Sequence, residues 1–192
     1  FVEWDYPNGI PAFVRLNLDS WRRHSHGACS EPILINSTNV RQYIPDLPDQ
    51  YFRLGHPAAK SDMIRYALLF HHGGLYLDTD FIIAKDFRKV IALLPHNDLV
   101  SYEFRGQNCT LGTFSSNFMG GRKGSLYHKA VWEAQKARVR RPCKPTEWNV
   151  SDVCCLDDPK KWCKVGWAHL GERIAHSVLW GLLQKREDLK VV

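Results

Sequence analysis

Two aspartates one residue apart, Asp78 and Asp80, follow the run Gly73-Gly74-Leu75-Tyr76-Leu77. On an extended backbone, side chains at i and i+2 leave from the same side, so this spacing sets two carboxylates together at the end of a short apolar strand. Carboxylate oxygens are hard ligands suited to Mg²⁺ or Mn²⁺, and substrate phosphates commonly complete the coordination of such ions. A second pair stands upstream. Asp62 and Arg65 are three apart in a predicted helix and so share one face of it. An isolated D-x-D is most often a turn or a solvated loop. Here an acid, a base and two further acids converge through a helix, a glycine pair and a strand. That convergence points to an enzyme that holds a metal-bound diphosphate.

The elements that must position these groups are legible around them. Pro57 can open a helix, because its missing N–H is not needed in the first turn. Met63, Ile64, Ala67, Leu68 and Phe70 then recur at near-helical spacing up to His72. Gly73-Gly74 should end that helix, since glycine takes the left-handed conformation freely. Strands are predicted over residues 1–4, 32–35, 75–77, 81–83, 99–104 and 116–119. Helices are predicted over 12–24, 58–72, 86–94, 126–138 and 171–184, with a helical turn at 40–44. This alternation argues for one α/β layer structure with a mainly parallel central sheet flanked by helices. In such sheets ligands gather at the carboxyl ends of strands, which is where Asp78 and Asp80 fall.

The block Ser61-Asp62-x-x-Arg65 followed by Gly73-Gly74-x-Tyr76-x-Asp78-x-Asp80 resembles the signature of the D-x-D sugar transferases. That group includes α1,4-galactosyl- and α1,4-N-acetylglucosaminyltransferases, the initiating α1,6-mannosyltransferase of yeast, capsule-synthesis transferases and the clostridial glucosylating toxins. Leu77-Asp78-Thr79-Asp80-Phe81-Ile82 is most similar to the α1,4 subgroup. The resemblance extends to Phe1-Val2-Glu3-Trp4, Asp19-Ser20-Trp21-Arg22-Arg23, Ser116-Asn117-Phe118-Met119-Gly120 and Trp167-Ala168-His169-Leu170-Gly171, but only residues 60–83 carry it with high specificity. One departure is that related α1,4-transferases have Gly-Pro where this chain has Gly171-Glu172.

The resemblance implies a Rossmann-like, GT-A type catalytic domain over residues 1–192, a piece of a longer protein. It implies a metal-dependent transfer of a hexose, with retention, from a nucleotide-diphosphate sugar to a carbohydrate hydroxyl, with UDP favoured and Mn²⁺ or Mg²⁺ as cofactor. On this basis Asp80 is expected to be the first metal ligand and Asp78 the second or a ribose contact through water, with His169 completing the metal's shell from the closing segment. Asp62 and Arg65 are expected to grip donor sugar and ribose, Ser61 to touch the ribose, Trp4 to stack on the base and Asn117 to lie near the transferring carbon. Two other classes compete: a Mg²⁺- or Mn²⁺-dependent phosphatase or nucleotidyltransferase, and a nucleotide-sugar-binding module without catalysis. The first would need further paired acids, and no third cluster of them is present.

Size and composition agree with one domain. A chain of 192 residues can bury about 70% of its unfolded surface. The formal charge of +6 suits an anionic substrate, and with no RNA-binding signature nucleic acid is not an expected partner. No run of 18 apolar residues is present, so no membrane span is expected. Of six cysteines, Cys143, Cys154, Cys155 and Cys163 crowd one Pro-containing stretch, with Cys29 and Cys109 elsewhere. Disulfides, free thiols and a zinc knuckle all remain open for them, although adjacent Cys154-Cys155 is awkward for a tetrahedral site. Sequons at Asn36, Asn108 and Asn149 favour the oxidising case. The expected setting is the Golgi or another secretory lumen in a eukaryote, and the cytoplasm in a virus or bacterium.

Overall fold

The computed structural model describes residues 9–54, 57–104, 113–140, 170–185 and 189–192. The expected first strand at residues 1–4, the segment 142–163 and every cysteine but Cys29 lie outside the described residues; Cys29 is an exposed free thiol.

Among the described residues there are six α-helices: α1 (Ala12–Ser25), α2 (Val40–Tyr43), α3 (Pro57–His72), α4 (Arg88–Ile91), α5 (Leu126–Arg140) and α6 (Glu172–Gln184). Helix α3 is the central one. Met63, Ile64, Tyr66 and Ala67 have no exposed surface, because α5 packs across α3 and α6 packs on α5. Two apolar clusters result. One joins α3 to Val40, Ile44, Leu47, Tyr51 and Trp132, and the other joins it to Tyr76, Leu99, Met119, Tyr127 and Val131.

Helix α3 ends as its sequence predicts. Gly73 sits at φ +70°, its N–H bonds Leu69 O at 2.9 Å, and Gly74 follows at φ +91°. A Cβ on Gly73 would lie 2.5 Å from the Lys123 backbone nitrogen, so both the conformation and the space require glycine. The chain then enters β1 (Gly74–Leu77), which pairs antiparallel with β4 (Phe118–Gly121), Tyr76 opposite Met119 and Leu77 opposite Phe118. β2 (Glu103–Phe104) and β3 (Thr113–Phe114) form a second antiparallel pair.

The fold is therefore helix-rich α/β, and the mainly parallel sheet is corrected. Among the described residues every ladder is antiparallel, and the one parallel pairing is the isolated bridge between Leu99 and Val191. The predicted strands at 32–35 and 81–83 form no ladder. At 79–83 side chains of α1 take the backbone groups instead: Asn17 Nδ2 donates to Thr79 O at 2.7 Å, Trp21 Nε1 to Phe81 O at 2.7 Å, and Ile83 N donates to Ser20 Oγ at 3.1 Å. These bonds satisfy the polar backbone without a neighbouring strand.

Candidate functional site

Helix α3 and strand β1 bring the predicted residues together. Within α3 the three-residue spacing closes as an ion pair, Arg65 Nη2 to Asp62 Oδ1 at 2.9 Å. The same nitrogen meets Ser61 Oγ at 2.9 Å and lies 3.6 Å from Asp78 Oδ1, while Nη1 donates to the Ser116 carbonyl. The guanidinium also lies over the Tyr76 ring, 4.9 Å from its centroid. Arg65 is 3% exposed. Burial alone would lower its pKa, but Tyr76, Asp62 and Asp78 outweigh burial and hold it above the ordinary arginine value. It is therefore a permanent buried cation around which the acids are arranged.

Tyr76 was not assigned a role from the sequence, yet it faces the same carboxylate. Its hydroxyl donates to Asp78 Oδ1 at 2.9 Å. Burial pushes its pKa up, with Asp78 adding to the rise, so the phenol stays protonated and remains a donor. Tyr76 and Arg65 thus both engage one oxygen of Asp78, and among the described residues Oδ2 takes no hydrogen bond.

The two aspartates do not lie on an extended strand. β1 ends at Leu77, and Phe81 N returns to Asp78 O at 3.0 Å, making 78–81 a turn. The alternation argument therefore fails for Asp80, while the position at the carboxyl end of the strand holds. Asp80 is exposed and makes no hydrogen bond or ion pair among the described residues. β4 anchors the turn from the other side, because Asp78 N donates to Asn117 O at 2.9 Å.

Asp62 is enclosed by Gly171, from the segment that resembles the family's closing one, and by Gln135, which sequence patterns did not flag. A Cβ on Gly171 would stand 2.6 Å from Asp62 Oδ2, so the start of α6 lies directly against the carboxylate. Gln135 of α5, fully buried, donates from Nε2 to Asp62 O at 3.0 Å and also to Leu170 O. One side chain thus ties α3 to the segment leading into α6. Gln135 was unreadable because a lone glutamine in an amphipathic helix carries no signal of its own. Trp4 and His169 lie outside the described residues.

A cavity of about 1030 Å³ borders β1, with Trp21, Ile33, Tyr43, Leu75 and Leu94 in its wall, and Asp62, Asp78 and Asp80 do not line it. Among the described residues no three His, Cys, Asp or Glu side chains cluster as a metal cage. The donor chemistry at the turn fits a divalent ion of the Mg²⁺ or Mn²⁺ type, since an exposed carboxylate and an unbonded carboxylate oxygen stand two residues apart. Such ions usually take one or two carboxylates and complete their shell with phosphate and water.

Residues 13–100 match the family described as the glycosyltransferase sugar-binding region containing DXD motif. This segment of the chain belongs to that glycosyltransferase family. The match takes in all but the first residue of α1, with α3, β1 and the acidic turn, and it stops before Asn117 and β4. No curated protein matches the chain. Among the described residues no helix is long and apolar enough to cross a membrane.

Proposed function

We propose that the chain transfers a hexose from a nucleotide-diphosphate sugar, UDP favoured, to a hydroxyl of a carbohydrate acceptor, with retention at the transferred carbon. The bond from that carbon to the diphosphate breaks, a bond to the acceptor oxygen forms, and the acceptor proton leaves with the diphosphate. The observation that carries the proposal is the divided Asp78 carboxylate. One oxygen is held by Tyr76 and Arg65, and the other is left unbonded beside exposed Asp80. Asp78 and Asp80 would hold the divalent ion, with the donor diphosphate as its further ligand. When bound, the ion supplies Lewis-acid stabilisation of charge on the leaving diphosphate.

The chain's own residues do the positioning. Tyr76 and Arg65 hold Asp78 in one orientation, so no carboxylate reorganisation is needed as charge develops. Ser61 and Asp62 stand beside Arg65, on the side where donor sugar and ribose are proposed to rest. The net basic chain draws the anionic donor to the site. Retention through same-face attack is supported by resemblance to the D-x-D transferases. The test is calorimetric titration of UDP in Mn²⁺ and in EDTA. UDP should bind more tightly in Mn²⁺, because diphosphate and acids share the ion; equal affinity in both would overturn the proposal.

A further inference from the structure

The sequon at Asn36 takes no part in the transferase proposal, and the structure shows what its amide does. Asn36-Ser37-Thr38 lies in the connection between α1 and α2, outside every helix and strand. Thr38 is exposed, and Asn36 is half-buried beside it. The sequons at Asn108 and Asn149 lie outside the described residues.

The Asn36 side chain works through its oxygen alone. Oδ1 accepts from Thr38 N at 2.9 Å, from Thr38 Oγ1 at 2.7 Å and from Asn39 N at 3.1 Å. Its Nδ2 makes no hydrogen bond among the described residues. Asn39 is the contrast: its Oδ1 accepts from Asn36 N at 2.9 Å and its Nδ2 donates to Leu34 O at 2.9 Å, so both ends of that amide are committed. The Asn36 carbonyl is also used, accepting from Val40 N at 3.0 Å. Each bond that Asn36 makes therefore bypasses its side-chain nitrogen, and a substituent there removes none of them. An amide nitrogen with two donors and no protein partner is a group for something outside the fold.

We propose that Asn36 is a modification site, whose Nδ2 carries an N-linked glycan acquired from a lipid-diphosphate oligosaccharide in a secretory lumen. The bond from Nδ2 to C1 of the first sugar forms, the bond from C1 to the diphosphate oxygen breaks, and one Nδ2 proton leaves with the diphosphate. The hydroxyl that this acceptor pattern requires two residues on is that of Thr38, and it already touches the Asn36 amide. A glycan is bulky and solvated, so it is carried on connecting segments at the surface and not within a packed helix or ladder. The connection from α1 to α2 is such a segment. The inference goes beyond the transferase proposal and does not depend on it.

The experiment secretes the full chain from a eukaryotic host, as wild type and as Asn108→Gln/Asn149→Gln, in which Asn36 is the last sequon left. Peptide mass spectrometry before and after digestion with peptide N-glycosidase reads each site. In the folded, monodisperse fraction of wild type, the peptide holding Asn36 should carry a glycan that the enzyme removes, leaving aspartate at that position. The double variant should show one mobility shift on the same digestion. Adding Thr38→Ala should abolish that shift, and adding Thr38→Ser should keep it, because serine restores the hydroxyl. An unmodified Asn36 peptide in the folded wild type overturns the proposal. So does a glycan found at Asn36 only on aggregated or unfolded chain, because the native connection would then exclude it. Should the double variant fail to fold, the wild-type peptide decides the question alone.

Discussion

At the scale of single residues, the site is organised by what holds Asp78. The Tyr76 hydroxyl and the Arg65 guanidinium share one of its oxygens, and that sharing leaves the other available. Tyr76→Phe keeps the ring under Arg65 and removes the hydroxyl that donates to Asp78. It should weaken Mn²⁺-dependent UDP binding by about 10- to 100-fold, the usual cost of losing a group that orients a metal ligand. Calorimetry would measure this, with a melting curve confirming an intact fold. Arg65 itself has a heavier structural duty. Its side chain and that of Asp62 are 4% and 10% exposed, so removing the cation strands a buried carboxylate. Arg65→Leu should lower unfolding free energy by roughly 3–5 kcal/mol in a urea titration. Gly171→Ala is the complementary probe. The added methyl would stand 2.6 Å from Asp62 Oδ2 and must displace that carboxylate or the start of α6. Transfer should fall sharply, with a stability loss of about 1–3 kcal/mol, as for other overpacked sites.

At the scale of elements, function depends on where α3 stops. The helix delivers Asp62 and Arg65, and β1 delivers Tyr76 and Asp78 only if the chain reverses at Gly73. Gly73→Ala would place a non-glycine residue at φ +70° with its Cβ against the Lys123 backbone. The conformational cost alone is about 1–2 kcal/mol. Because the neighbouring atom is backbone, relief must come from moving β1. The expected outcome is a lower melting temperature together with reduced Mn²⁺-dependent UDP binding. The D-x-D belongs to this scale as well. The sequence predicts it on a strand, but Asn17, Ser20 and Trp21 of α1 capture the backbone at 79–83 and bend it into a turn. Those bonds span some sixty residues, so no local pattern could announce them.

At the scale of the whole molecule, Asp46 and His128 are two of the groups that tie the stability of the fold to acid. Asp46 clips the loop after α2 to α3 and α5: its carboxylate meets His71 at 2.7 Å, Lys136 at 2.6 Å and Trp132 at 2.9 Å. Partial burial pushes its pKa up, but these partners outweigh burial and hold it at about 2. Its contribution is present above the unfolded carboxyl value of 3.8 and is lost as pH falls through about 2. His128 acts earlier. It is fully buried, with no hydrogen-bond partner for either ring nitrogen, and burial lowers its pKa to about 3 despite the opposing pull of Asp98. Between the unfolded value of 6.5 and that figure the unfolded chain binds the extra proton, so stability falls as pH falls. Urea midpoints should drop progressively below pH 6.5, with a slope of up to about 1.4 kcal/mol per pH unit from this one group. In His128→Leu, the midpoint should lose most of its pH dependence between pH 6.5 and 4.

The meeting of these side chains was legible because it is local in sequence. Asp62 and Arg65 meet because a helix repeats every few residues, and Gly73-Gly74 ends that helix because only glycine suits the backbone there. Asp78 lies at a strand end because an apolar run precedes it. These facts depend on neighbours along the chain, so composition and spacing determined them. The family match over residues 13–100 agrees with that block. What the tertiary structure decided was every relation between distant segments. The antiparallel register of β1 with β4 set Asn117 against Asp78, and packing of α5 and α6 on α3 set Gln135 and Gly171 against Asp62. A strand pattern records which residues alternate, but not which partner or direction will satisfy the backbone. A buried glutamine or glycine records only its own size. Their roles came from long-range close packing, where one atom's place is set by elements tens of residues away.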